Sequence, residues 1–210
     1  MKKLAIGCGV FGVIAVIGII ILIIVGLSAG SSYNHLVKLS QGVDSQWAQV
    51  QNVYQRRADL IPNLVATVSG SANFEKSTLT EIAEARASVG QVKIDPNNAP
   101  ADPAKLAEFE KAQGALSSAL SRLLVVSERY PDLKASASFA ELQAQLEGTE
   151  NRISVERGNF NTAVQAYNTA VKSFPTVFFA GMMGFKEKPY FTATTGTDKP
   201  PQVQFDFNKK

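Results

Sequence analysis

Residues 4–27 contain no charged side chain, and this run constrains the chain more than any other feature. As a helix rising about 1.5 Å per residue it would span roughly 36 Å, against a bilayer core of about 30 Å. The run can therefore cross a membrane with some tilt. A cleaved leader has a shorter apolar stretch and an A-x-A-like exit, and "LSAGSS" (27–32) is a poor one, so an uncleaved anchor is expected. "AIGC" (5–8) has the residues before Cys8 in the wrong order for a lipidation box, with little apolar sequence ahead of it. "GLSAG" (26–30) fits a small-xxx-small contact but, at a membrane edge, reads as a flexible exit. Lys2 and Lys3 precede the run, and the positive-inside rule places them in the cytoplasm and the rest outside, with His35 and Lys38 flanking the other end.

The charge is otherwise balanced. Without Lys2 and Lys3, 19 of the chain's 21 basic residues face its 18 acidic ones. A nucleic-acid binder would show a basic excess or stripe, and none is visible. Cys8 is the single cysteine, which excludes an internal disulfide and a cysteine-based metal cage.

From Leu36 the apolar residues fall three and four apart: Leu36, Leu39, Val43, Trp47, Val50, Tyr54, Ala58, Ile61, Val65 and Val68. That is one face of a helix. The stripe crosses Pro62 without a phase break, so a continuous helix kinked at Pro62 is expected; the alternative is a new helix capped by Asp59. "SGSAN" (69–73) reads as a turn. A shorter helix follows at about 74–90, then a loop (90–103) rich in Pro, Asn and Asp. Asp102 and Pro103 open a third helix, about 103–130, which "YPDL" (130–133) breaks. A fourth holds its rhythm from Phe139 through Leu146, Ile153, Glu156, Phe160, Val164, Tyr167 and Val171 to Phe174. The fold class is all-α: a transmembrane helix, then an antiparallel four-helix bundle of long helices, the first kinked, and a mostly extended C-terminal tail. The expected divisions are a cytoplasmic stub (1–3), a transmembrane helix (4–27), a helical bundle (28–174) and an apolar, extended tail (175–210). An up-down-up-down order brings "YNHLVK" (33–38) and "YNTAVK" (167–172) together near the membrane.

"YNHLVKL", "QRRADLIPNLV", "LSRLLVVSERYPDLKAS", "ELQAQLEGTENRISVER" and "YNTAVKSFP" resemble strings of the LemA family, from about Tyr33 to the tail. The resemblance implies a membrane-anchored bacterial helical bundle without a settled biochemical activity. It carries over no catalytic, cofactor-binding or metal-ligating residue.

The residues themselves offer little chemistry. His35 is the one histidine, and it reads as a surface side chain near the membrane. No nucleophile-base pair or phosphate loop can be assembled, and the Glu-x-x-His pairs of a di-iron bundle are absent. Glu147 and Glu150 share a helix face, and Glu156 lies on the apolar stripe. Glu156 is expected to pair with a buried arginine such as Arg57 or Arg122, and Asp59 lies within helical reach of Arg56. In "QRRADLIPNL" (55–64) this reads as a kink with a polar register lock. "NRISVERGNFN" (151–161) reads as a solvated outer face. "TVFFAGMMGF" (176–185) is too short to span a bilayer and is expected to cover the open end of the bundle or touch lipid. "PYFTATT" and "PPQVQFDF" alternate enough for short extended segments, which would lie along the bundle or pair with another chain's strand edge.

The function expected from these features is non-enzymatic: a single-pass protein of the bacterial cytoplasmic (inner) membrane, its bundle on the periplasmic side, binding or scaffolding an envelope or membrane protein. Its partners would be the bilayer, through residues 4–27, and that protein; it would bind no nucleic acid and no cofactor, and could form a homo-oligomer. The alternatives are an enzyme using bundle carboxylates near Glu156, or a signal relay through the anchor.

Overall fold

The computed structural model describes residues 2–70 and 74–192, with side chains from Val16 onward. The side chains of Lys2, Lys3 and Cys8, most of the expected 69–73 turn and the extended segment expected at 200–207 lie outside the described residues. The helices are α1 (Lys2–Ser69), α2 (Lys76–Gln91), α3 (Pro103–Ser127), α4 (Pro131–Lys134), α5 (Ala137–Lys172) and α6 (Thr176–Ala180). No strand occurs among the described residues.

The anchor and the first bundle helix are one element. α1 continues through "GLSAG", where a flexible exit was expected. Gly26 and Gly30 sit inside it, so the helix rather than a linker carries the chain out of the membrane. It also runs unbroken through Pro62, whose own side chain is exposed. The exposed position gives the ring room, and the alternative of a fresh helix capped by Asp59 does not occur. Asp59 instead accepts from Gln55 Nε2 at 2.7 Å, one turn back.

α2 descends from the far tip, α3 returns to it, and α5 runs the full length back toward the membrane. Asp102 starts α3 by accepting from the Ala104 N–H at 2.9 Å, with Pro103 in the first helical position. The loop before it is tied to α1: Trp47 Nε1 donates to the Asp95 carbonyl at 3.0 Å, and Ala99 N donates to Asp44 at 3.0 Å.

The core comes in two halves. The membrane-proximal half gathers Leu36, Val43, Trp47, Tyr54, Leu106, Phe109, Ile153, Phe160 and Tyr167. The distal half gathers Ile61, Leu64, Val68, Ile82, Leu116, Leu123, Phe139 and Leu146. The observed stripe on α1 is Tyr54, Arg57, Ile61, Leu64, Val68. It takes Arg57 and Leu64 in place of Ala58 and Val65, which are only partly buried.

The tail departs from the expected extended form at its start. Phe174 leaves the α5 stripe and is exposed, because α5 ends at Lys172 and the chain turns into α6. Gly184, with φ +82°, closes the following turn in a conformation that suits glycine. Residues 185–192 then lie along α1 and α5 as a strap. Asn168 donates to the Lys188 carbonyl (2.8 Å) and accepts from its N–H (2.9 Å). Two helical turns earlier, Asn161 does the same with Phe191, at 2.9 Å both ways. Phe191 is thereby driven into the core against Trp47 and Phe160. Tyr167 Oη donates to the Lys186 carbonyl at 2.9 Å, and the Tyr33 ring meets Phe185 at 5.6 Å. Both Tyr-Asn pairs of the sequence thus sit at one end of the bundle, joined by the strap.

Candidate functional site

A polar layer divides the two core halves. At its centre Arg57 is 1% exposed. Its Nη1 donates to Ser117 Oγ (2.7 Å) and Glu150 Oε2 (3.0 Å). Its Nη2 donates to the Gln113 carbonyl (3.3 Å) and to Gln113 Oε1. The guanidinium stacks 5.1 Å from the Tyr54 ring centre, and Ser117 Oγ donates to Glu150 Oε1 at 3.2 Å. A buried cation demands such partners, since an unpaired charge in a core costs several kcal/mol. Three helices are pinned by one side chain: α1 through Arg57, α3 through Gln113 and Ser117, and α5 through Glu150.

A second cluster stands nearer the membrane. Arg157 on α5 pairs with Glu110 on α3 at 2.6 Å and donates to the Thr192 carbonyl at 3.0 Å. Its guanidinium lies 4.7 Å over the Phe191 ring. Glu110 also accepts from the N–H and hydroxyl of Thr192, each at 3.2 Å. A groove of about 560 Å³ opens between the clusters, walled by Tyr54, Arg57, Gln113, Glu150, Arg157 and Thr192. Burial pushes the Tyr54 phenol above the usual tyrosine range, while Arg157 and Arg57 pull it down.

The groove's two glutamates are each matched to an arginine, an arrangement that ties α5 to α1 and to α3. No group of three or more potential metal ligands occurs among the described residues.

Sequence reading and geometry part over Glu156. It is half-buried, accepts from Asn159 Nδ2 at 3.0 Å, and is not in the groove wall. Arg57 pairs with Glu150 instead, six residues earlier and so about 9 Å further from the membrane on α5. Arg122 pairs with Glu81 on the surface, at 3.1 Å. Nor is "NRISVERGNFN" simply a solvated face: Ile153 and Phe160 are core, and Arg157 and Asn161 hold the strap. His35 is exposed, as expected. Gln113, Ser117, Glu110 and Arg157 were not singled out from sequence. Gln113 had a signal: it falls four residues after Phe109 and three before Leu116, a polar side chain on an apolar stripe, as Arg57 is on α1.

Among the described residues, one apolar helix is long enough to cross a membrane and runs on into an antiparallel bundle, which defines the class: a single-pass, membrane-anchored helical-bundle protein. Residues 46–205 match the LemA family, and the chain belongs to that family. It is similar to magnetosome protein MamQ of Magnetospirillum gryphiswaldense, 27% identical over 189 residues that cover 81% of this chain and 70% of that one. It is similar to magnetosome protein MamQ 2 of Paramagnetospirillum magneticum, 27% identical over 183 residues covering 80% and 67%. Protein LemA of Metamycoplasma hominis is 24% identical over 144 residues, covering 68% and 61%. Neither the family description nor these names denotes an enzyme.

Proposed function

We propose that the protein is a non-enzymatic scaffold, anchored in the cytoplasmic membrane with its bundle outside the cytoplasm, and that it docks another envelope protein. The observation that carries this reading is the open mid-bundle groove, whose arginines and glutamates are matched to one another and whose position is fixed by an unbroken helix from the membrane. Arg57 is 30 residues beyond Leu27, which sets the groove about 45 Å above the apolar edge. Lys2 and Lys3 ahead of the anchor support the outward orientation.

The test places a single cysteine at exposed Asn98 in a Cys8→Ala background and labels intact cells with a membrane-impermeant maleimide. Labelling supports the outward orientation; labelling only after lysis reverses it and moves the partner to the cytoplasm. A crosslinker on the same cysteine should capture one stoichiometric envelope protein. Ser118→Trp, at an exposed site in the groove wall, should abolish that capture without changing the thermal midpoint. Capture that persists in Ser118→Trp removes the groove as the docking face.

A further inference from the structure

Outside the apolar run of α1, exposed large apolar side chains concentrate at one place. Phe174 is 81% exposed, Val177 47%, Phe178 66% and Met182 89%. Val177 and Phe178 lie on α6, and Phe174 and Met182 stand just before and just after it. Phe174 and Phe178 meet edge to face at 5.9 Å. Ala180 is buried beneath them, so α6 is apolar on both its inner and its outer face. Water is a poor environment for the outer one, because grouped apolar side chains of this kind mark a contact surface.

The level of this patch along α1 identifies what covers it. Thr176 Oγ1 donates to Ser32 Oγ at 3.5 Å, and Tyr33 packs on Phe185. Ser32 is five residues beyond Leu27, the last residue of the apolar run, or roughly 7–8 Å of helix. The polar zone of one leaflet is about 5–8 Å deep. The patch therefore stands at headgroup level beside the point where α1 emerges. Around it, Lys172 pairs with Glu187 at 2.8 Å and the largely buried Lys188 with Asp44 at 2.7 Å, so the exposed Lys38 and Lys186 are the surplus charge among residues 28–45 and 172–190, a small basic excess that suits an anionic lipid surface. Aromatic and long apolar side chains with basic neighbours are the composition of an interfacial membrane contact.

We infer that Phe174, Val177, Phe178 and Met182 form a second membrane contact, inserted into the headgroup zone of the leaflet from which α1 emerges. The inference does not depend on which side of the membrane the bundle occupies. α1 alone fixes the bundle's distance from the bilayer but leaves it free to rotate about the helix axis; the α6 contact selects one rotation, with the α6 side down.

The experiment uses the full-length Cys8→Ala protein with Phe178→Cys or Met182→Cys, and Val125→Cys, 70% exposed on distal α3, as the water-facing control. Each is labelled with an environment-sensitive fluorophore and reconstituted in phosphatidylcholine–phosphatidylglycerol vesicles. Quenching is compared between lipids carrying a nitroxide near the headgroup and aqueous iodide, with Trp47 emission as the check of folding. Positions 178 and 182 should be quenched by the nitroxide lipid and several-fold less by iodide than position 125. Iodide quenching equal to that at 125 overturns the inference. So does shielding from both quenchers, which would mean that protein, a second copy or a partner, covers the patch.

Discussion

Arg57 shows how much one side chain can specify. It lies at a position where the helical repeat calls for an apolar residue, and its two terminal nitrogens reach two other helices at once. The pair it makes with Glu150 is lopsided, the arginine side chain 2% exposed and the glutamate 53%. Arg57→Lys keeps the charge and loses the fork, stranding Gln113, and should destabilise the protein by about 2–3 kcal/mol. Glu150→Gln should cost about 1 kcal/mol, since water already solvates most of that carboxylate. Chemical denaturation of the detergent-solubilised protein, followed by Trp47 emission, measures both; a larger loss for Glu150→Gln would show that charge rather than hydrogen-bond geometry holds the layer. Tyr54 adds a pH dependence. Burial raises its folded-state pKa, so the unfolded chain releases the phenolic proton first. Its contribution is whole below the ordinary tyrosine range near 10 and falls as the pH rises through it. Tyr54→Phe should therefore flatten the alkaline loss of stability, as thermal melts between neutral pH and pH 11 would show; an unchanged slope would assign that loss to other groups.

The helices were legible from sequence because their cores repeat at a period that local chemistry sets. Trp47, Val50, Ile153, Phe160 and Val164 are buried where three-four spacing puts them, and Asp102 caps α3 as its side chain allows. What spacing could not give was pairing across elements. Glu150 and Glu156 both lie near the inward side of α5, and the choice between them depends on the relative height of α1 and α5. The strap was legible only in part: alternation in "PYFTATT" gave an extended segment along the bundle, but the places of its residues are set by Asn161 and Asn168, whose amides substitute for a neighbouring strand. Phe191 is the strap's anchor. Phe191→Ala should cost about 3 kcal/mol or more by opening a cavity beside Trp47, with a red shift in its emission. A cost near zero would mean that the bundle closes without the strap.

At the scale of the whole molecule, two core halves meet at a polar layer that ties α1, α3 and α5 together at mid-height. Replacing Arg57 by methionine and Gln113 and Glu150 by leucine together should give a protein of nearly equal stability, because a buried ionic layer adds little net free energy. Its cost would appear as loss of a single arrangement, read as broadened side-chain resonances; a sharp spectrum would deny the layer its role in register.

The unbroken course of α1 from the bilayer to the distal tip has a mechanical consequence. A helix with no interruption is a lever. Its outer arm, residues 28–69, is about 63 Å long, so tilting the membrane segment by about 20° carries the tip sideways by roughly 20 Å. An apolar run of 24 residues tilts more in a thin bilayer than in a thick one, making the position of the tip a gauge of lipid thickness. Distances from a tip label at Arg129 to the bilayer surface should shorten as the acyl chains are shortened. The groove near Arg57 rides on the same arm, so lipid thickness would decide where above the membrane its walls are offered.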